Sequence, residues 1–151
     1  MQSDGGLGRL PEGPVRRMFA AATQHDLDAM VLEFAEDYEN ITPVHPARSF
    51  RGRDQVRSNW SSLFAGIPDL ALEVHDVAVD PEGKVWIEWS SAGTRRDGVR
   101  IEQAGVAIFT VRDDKLAVVR FYLEPVEYDS GDVNAAVRSV TAVQAPAPSA
   151  P

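Results

Sequence analysis

Two helical stripes open the patterned part of the chain. Val15, Met18, Phe19 and Ala22 recur at the spacing of one helix face, with Pro14 suited to the first turn. Asp26 then reads as an N-cap for a second helix, whose apolar positions Leu27, Met30, Val31 and Phe34 again share one face. The stretch Asp37 to Thr42 reads as a short strand that stops at Pro43, and Pro43 to Gly52 reads as a loop. Val56, Trp60, Leu63 and Phe64 mark a third helix. From Ile67-Pro68 onward the period changes to two, with Leu70, Leu72 and Val74 alternating with Glu73 and His75. Turns at Asp80-Pro81-Glu82-Gly83, Arg96-Asp97-Gly98 and Asp113-Asp114 divide the rest into four long strands, predicted to be antiparallel. That order predicts an α+β fold in which a curved, mostly antiparallel sheet wraps three N-terminal helices. Helices this short leave part of the concave face uncovered, so a conical cavity for a small molecule is expected.

Composition narrows the choice of function. At 151 residues, with 44% hydrophobic and 25% charged, the chain suits one domain with a real core. Boundaries are predicted at a flexible N-terminal segment over 1–13, the domain over 14–128 and a flexible Ala/Pro-rich tail over 129–151. A net charge of -8 argues against a phosphate-backbone binder and disfavours an anionic membrane surface. No apolar run approaches the roughly 18 to 20 residues of a membrane span, and Met1 to Gly13 has no signal-like apolar stretch, so a cytoplasmic protein is expected. The lack of cysteine removes disulfides, thiolate metal sites and cysteine nucleophiles. His25, His45 and His75 show no metal-ligand spacing, and no Gly-rich phosphate loop or nucleophile elbow is present. Neither a metal nor a cofactor is predicted.

Strand alternation then sorts the polar candidates. Tyr38 and Asn40 share one face of the first strand. Trp86, Glu88 and Ser90 lie opposite Val85, Ile87 and Trp89, and Arg120, Tyr122 and Glu124 lie opposite Val119, Phe121 and Leu123. Both faces carry bulky apolar groups, so periodicity alone leaves open which set points inward.

The order of elements, the Phe50-Arg51-Gly52-Arg53-Asp54 stretch before the third helix and the closing Arg120-Phe121-Tyr122-Leu123-Glu124-Pro125 resemble the NTF2-like superfamily, and within it the SnoaL-like group. That resemblance implies an NTF2-like cone. It also implies a choice among ketosteroid isomerases, polyketide cyclases, limonene-type epoxide hydrolases and non-catalytic binding modules. The epoxide-hydrolase branch holds its lytic water with a Tyr-x-Asn pair, matched here by Tyr38-Glu39-Asn40. Its Arg-x-Asp is replaced by Trp86-Ile87-Glu88, and the acid of its last strand by Phe121, which argues against that reaction.

The superfamily's parity implies that Tyr38, Asn40, Trp86, Glu88, Gln103 and Phe121 face the cavity, with Trp60 forming a wall. Glu88, desolvated beside Trp86 and Phe121, is then the candidate proton shuttle, Tyr38 and Asn40 are polar anchors, and His45 is a candidate proton carrier at the mouth. The implied function is cofactor-free acid–base chemistry (isomerisation, cyclisation or hydrolysis) on a hydrophobic substrate. The alternative is a non-catalytic binding or accessory module, favoured if Glu88 faces water. Apolar groups on the outer sheet face predict a homodimer.

Overall fold

The computed structural model describes residues 4–143. Three helices, α1 (Pro14–Thr23), α2 (Leu27–Leu32) and α3 (Arg53–Gly66), pack on a sheet of six strands. The strands are β1 (Phe34–Ile41), β2 (Phe50–Arg51), β3 (Ala71–Val79), β4 (Val85–Thr94), β5 (Arg100–Arg112) and β6 (Lys115–Pro125). Their spatial order is β2-β1-β6-β5-β4-β3. All neighbours are antiparallel except β1 and β6, which run side by side in parallel. The sheet is therefore mixed and open-edged, and the fold is α+β. Among the described residues no helix is long and apolar enough to cross a membrane.

Local signals act where the sequence placed them. Pro14 opens α1, and the Asp26 carboxylate accepts the Ala29 backbone N–H at 3.1 Å to cap α2. At the α1–α2 turn, the His25 ring stacks on Phe64 at 4.2 Å and donates to the Leu70 carbonyl at 2.7 Å, tying the helices to the start of β3. The core forms where α1 meets the concave face: Phe19 packs edge-on against Trp89 and Phe109, with Met30, Ile87, Leu116 and Val119 fully buried around them.

The register across β4, β5 and β6 has no shift over the part that faces the helices. Ile87, Ala107 and Phe121 form one cross-strand row, and Ser91, Gln103 and Pro125 another. Because alternation is strict, a single residue fixes the direction of every other residue in these rows. Val85, Ile87, Trp89 and Ser91 are all buried, so they form the inner set.

Three expectations need correction. Phe34, read as the last apolar position of the second helix, begins β1 instead. With Glu33 as the C-cap, the chain turns into the sheet and Phe34 is buried against Tyr38 at 4.7 Å. The segment over 1–13 is not loose where it is described. The Gly5 carbonyl accepts the Val74 backbone N–H at 2.7 Å, and Leu10 is buried in the core. This strap lies against β3, the edge strand, whose unpaired backbone groups need covering. Residues 1–3 lie outside the described residues. Within the predicted tail, Val133–Thr141 forms a helix, α4, because Asp132 caps it through the Ala135 N–H at 2.9 Å. None of its residues is buried, and residues 144–151 lie outside the described residues.

Candidate functional site

A cavity of about 340 Å³ lies between the concave face and the helices. Its closed end is apolar, formed by Met18, Phe19, Met30, Phe34 and Phe109. Its wide end lies where β1, β4 and β6 finish and β3 and β5 begin, a consequence of the strand directions. The polar lining gathers there: Asn40, Thr42, Arg48, Asn59, Ser91 and Gln103. The size falls at the lower end of the roughly 300 to 1,000 Å³ usual for small-molecule pockets.

Of the predicted site residues, Tyr38, Asn40, Trp60, Gln103 and Phe121 line this cavity. Tyr38 and Asn40 point inward from β1 and are buried. The Tyr38 hydroxyl donates to Asn40 Oδ1 at 3.0 Å, and Asn40 Nδ2 donates to Thr42 Oγ1 at 3.3 Å. This chain largely satisfies itself. Burial pushes the Tyr38 hydroxyl far above its ordinary value, so it remains a neutral phenol. Trp60 projects from α3 and leans on Phe64 at 5.6 Å, while Phe121 packs near Trp89 at 6.4 Å.

Glu88 and Trp86 do not line the cavity. Both are exposed on the outer face of β4, and Trp86 donates its indole N–H to Asp80 Oδ2 at 3.1 Å in the β3–β4 turn. That bond is the main cause holding the Asp80 carboxyl below its ordinary value. The physical reason is register. Gln103 is the cross-strand partner of Ser91, so placing Gln103 inside places Ser91 and Trp89 inside and turns Glu88 and Trp86 outward. His45 is also outside the lining. Its Nε2 pairs with Glu124 Oε1 at 2.8 Å, and Glu124 lies on the face of β6 opposite Phe121 and Leu123.

Several lining residues escaped the sequence reading, among them Thr42, Arg48 and Asn59 and, on β4, Trp89 and Ser91. For β4 the signal was present: Val85, Ile87 and Trp89 are uniformly apolar, whereas the alternate set contains a carboxylate. The Ser91 hydroxyl and the Gln103 amide make no hydrogen bond with another described residue, although they face each other across β4 and β5. Trp89 adds a buried indole N–H without an acceptor. Among the described residues, Tyr38 and Arg48 are the ionisable side chains that line the cavity, and no carboxylate, imidazole or amine does. The wide end thus offers neutral hydrogen-bonding groups together with the Arg48 guanidinium, and the closed end is lined by apolar side chains.

Solved structures share this fold at low identity. A candidate isomerase from Bacillus subtilis is 16% identical with a TM-score of 0.65, over 74% of this chain and 84% of that one. A candidate polyketide cyclase from Sinorhizobium meliloti is 19% identical with a TM-score of 0.59, over 78% and 98%. A protein with a ketosteroid isomerase-like fold from Catenulispora acidiphila, solved with trimethylamine, is 18% identical with a TM-score of 0.60, over 74% and 85%. A comparison with curated protein sequences gives no match. The model of the SnoaL-like domain matches residues 15–119, from α1 into the first half of β6. The chain belongs to the SnoaL-like family of NTF2-like folds.

Proposed function

We propose that this protein binds a small amphipathic molecule, its apolar body in the closed end of the cone and its polar head at the wide end. The observation that carries this reading is the distribution of the lining, wholly apolar at Phe19, Met30 and Phe109 and polar at Asn40, Ser91 and Gln103. Ser91 and Gln103 make no hydrogen bond with another described residue, so a ligand oxygen is their natural partner. Burying such a ligand removes apolar surface from water at roughly 25 cal/mol per Å².

The reading is of binding first. Acid–base turnover through Glu88 has no support, because that carboxylate faces water on the far side of the sheet. A catalytic reading retains one favourable observation: Tyr38 donates its proton to Asn40 Oδ1 and so orients the Asn40 amide, whose second N–H is free to polarise a ligand carbonyl. Native mass spectrometry of the purified protein tests the binding reading. A retained small molecule, or saturable 1:1 uptake of 2-decanone, is expected, and failure to take up any apolar probe would overturn it.

The assembly is proposed as a homodimer across the outer sheet face. There Trp86 and Ile108 share one cross-strand row, and Val106 and Tyr122 share the next. Trp86 is 43% exposed and Tyr122 is 37% exposed, a cost that a partner surface would relieve.

A further inference from the structure

We propose that the ligand's polar head is a carboxylate and that Arg48 receives it. This rests on the binding reading above and adds the chemical class of the ligand.

Arg48 ends the 3₁₀ turn Pro46–Arg48 in the loop between β1 and β2, and its side chain lines the wide end of the cavity. It makes no ion pair or side-chain hydrogen bond with any described residue. Of the other arginines near this end, Arg95 pairs with Asp97 and Arg96 donates to the Ala65 carbonyl at 2.7 Å. Arg100 makes no ion pair among the described residues, but it alternates with the lining residues Ile101 and Gln103 and so belongs to the other face of β5. The acids that could neutralise Arg48 are also occupied. Glu124 is held by His45, Asp69 accepts the Thr94 backbone N–H at 2.6 Å, and Glu102 accepts the Tyr128 hydroxyl at 2.8 Å. In a chain of net charge -8, a guanidinium left unpaired at the rim of an apolar cavity is a local exception.

Several features favour a carboxylate over other heads. A lone guanidinium matches one carboxylate in a bidentate fork, whereas a doubly charged phosphate would call for further free cations. Ser91, Gln103 and Asn40 at the same end can donate to carboxylate oxygens that the guanidinium leaves open. The Arg48 stem can lie along the apolar rim while its head stays at the mouth, so the ligand is held tail-in and head-out. An uncharged ligand would use the same cavity but leave Arg48 without a role.

The experiment is a tryptophan-fluorescence titration, since Trp60 and Trp89 line the cavity, using decanoate and 1-decanol at neutral pH on the full chain. The expected result is that decanoate binds about five- to tenfold tighter than 1-decanol at low ionic strength, with the gap closing as salt screens the pair. In Arg48→Gln the two probes should bind alike, and Arg48→Lys should restore part of the preference. Equal affinities in the unsubstituted protein, or a preference that survives Arg48→Gln, would overturn the carboxylate assignment while leaving the binding reading intact. If neither probe binds, both fail. The side chain of Arg48 is exposed and unpartnered, so the variants should fold normally.

Discussion

Tyr38 carries the clearest residue-scale test. Its phenol is buried on the inner face of β1 and bonded to Asn40, so the charged form is penalised by desolvation. Of the three tyrosines, one should therefore resist ionisation until the fold opens. The sign follows from its raised value in the fold. The contribution is fully present below the ordinary value of 10.0 and is lost as pH rises past it, because the unfolded chain gives up the proton first. A spectrophotometric titration checks this, and smooth ionisation of all three tyrosines in the folded protein would contradict it. Ser91 and Gln103 make a second test. The double variant Ser91→Ala/Gln103→Leu should weaken binding of 2-decanone by about tenfold, while Glu88→Gln should leave it unchanged. Isothermal titration of the three proteins decides the matter, and an equal loss in Glu88→Gln would return that carboxylate to the site.

At the scale of elements, the strap over residues 4–10 is an edge cover that low hydrophobicity concealed. Gly6 has φ 78 and a Cβ there would lie 2.0 Å from the Val74 carbonyl oxygen, so backbone rather than side chain makes the contact. Gly6→Ala is expected to displace the strap and cost about 1 to 3 kcal/mol, whereas Gly13→Ala meets nothing within 4 Å and differs only in backbone strain. Urea unfolding of the two variants measures the difference; equal stability would mean that the strap contributes nothing. The helices were legible because Pro14 and Asp26 are local signals read over one turn, and the long strands because turn residues bound them. The strap was not legible, because backbone pairing with Val74 leaves no hydrophobic period. The inward face of β4 was a different kind of miss. Alternation is legible in β4, but direction depends on partners, and the resemblance that points to Glu88 runs against the apolar set Val85, Ile87 and Trp89. Placing Gln103 inside already implied Ser91 inside, once the β4–β5 register is known. That register is tertiary information, set by the hairpin and not by either strand alone.

At the scale of the molecule, one open-edged sheet divides two tasks between its faces. The concave face builds the core and cavity, and the convex face, with Trp86 and Tyr122 exposed, is the one proposed to meet a second copy of the chain. Sedimentation velocity at micromolar concentration should show a dimer, and Trp86→Glu should shift it toward monomer. A monomer in the unsubstituted protein would contradict that assignment without touching the cavity. The central claim concerns the concave face: a largely apolar cone proposed to hold an amphipathic molecule by Ser91 and Gln103 at its wide end. The most direct test is a crystal structure of the protein soaked with 2-decanone. The account predicts the chain among Phe19, Met30 and Phe109 with its carbonyl oxygen within hydrogen-bond reach of Ser91 or Gln103. Density for the ketone on the outer face beside Glu88, or an empty cone at saturating ketone, would contradict it.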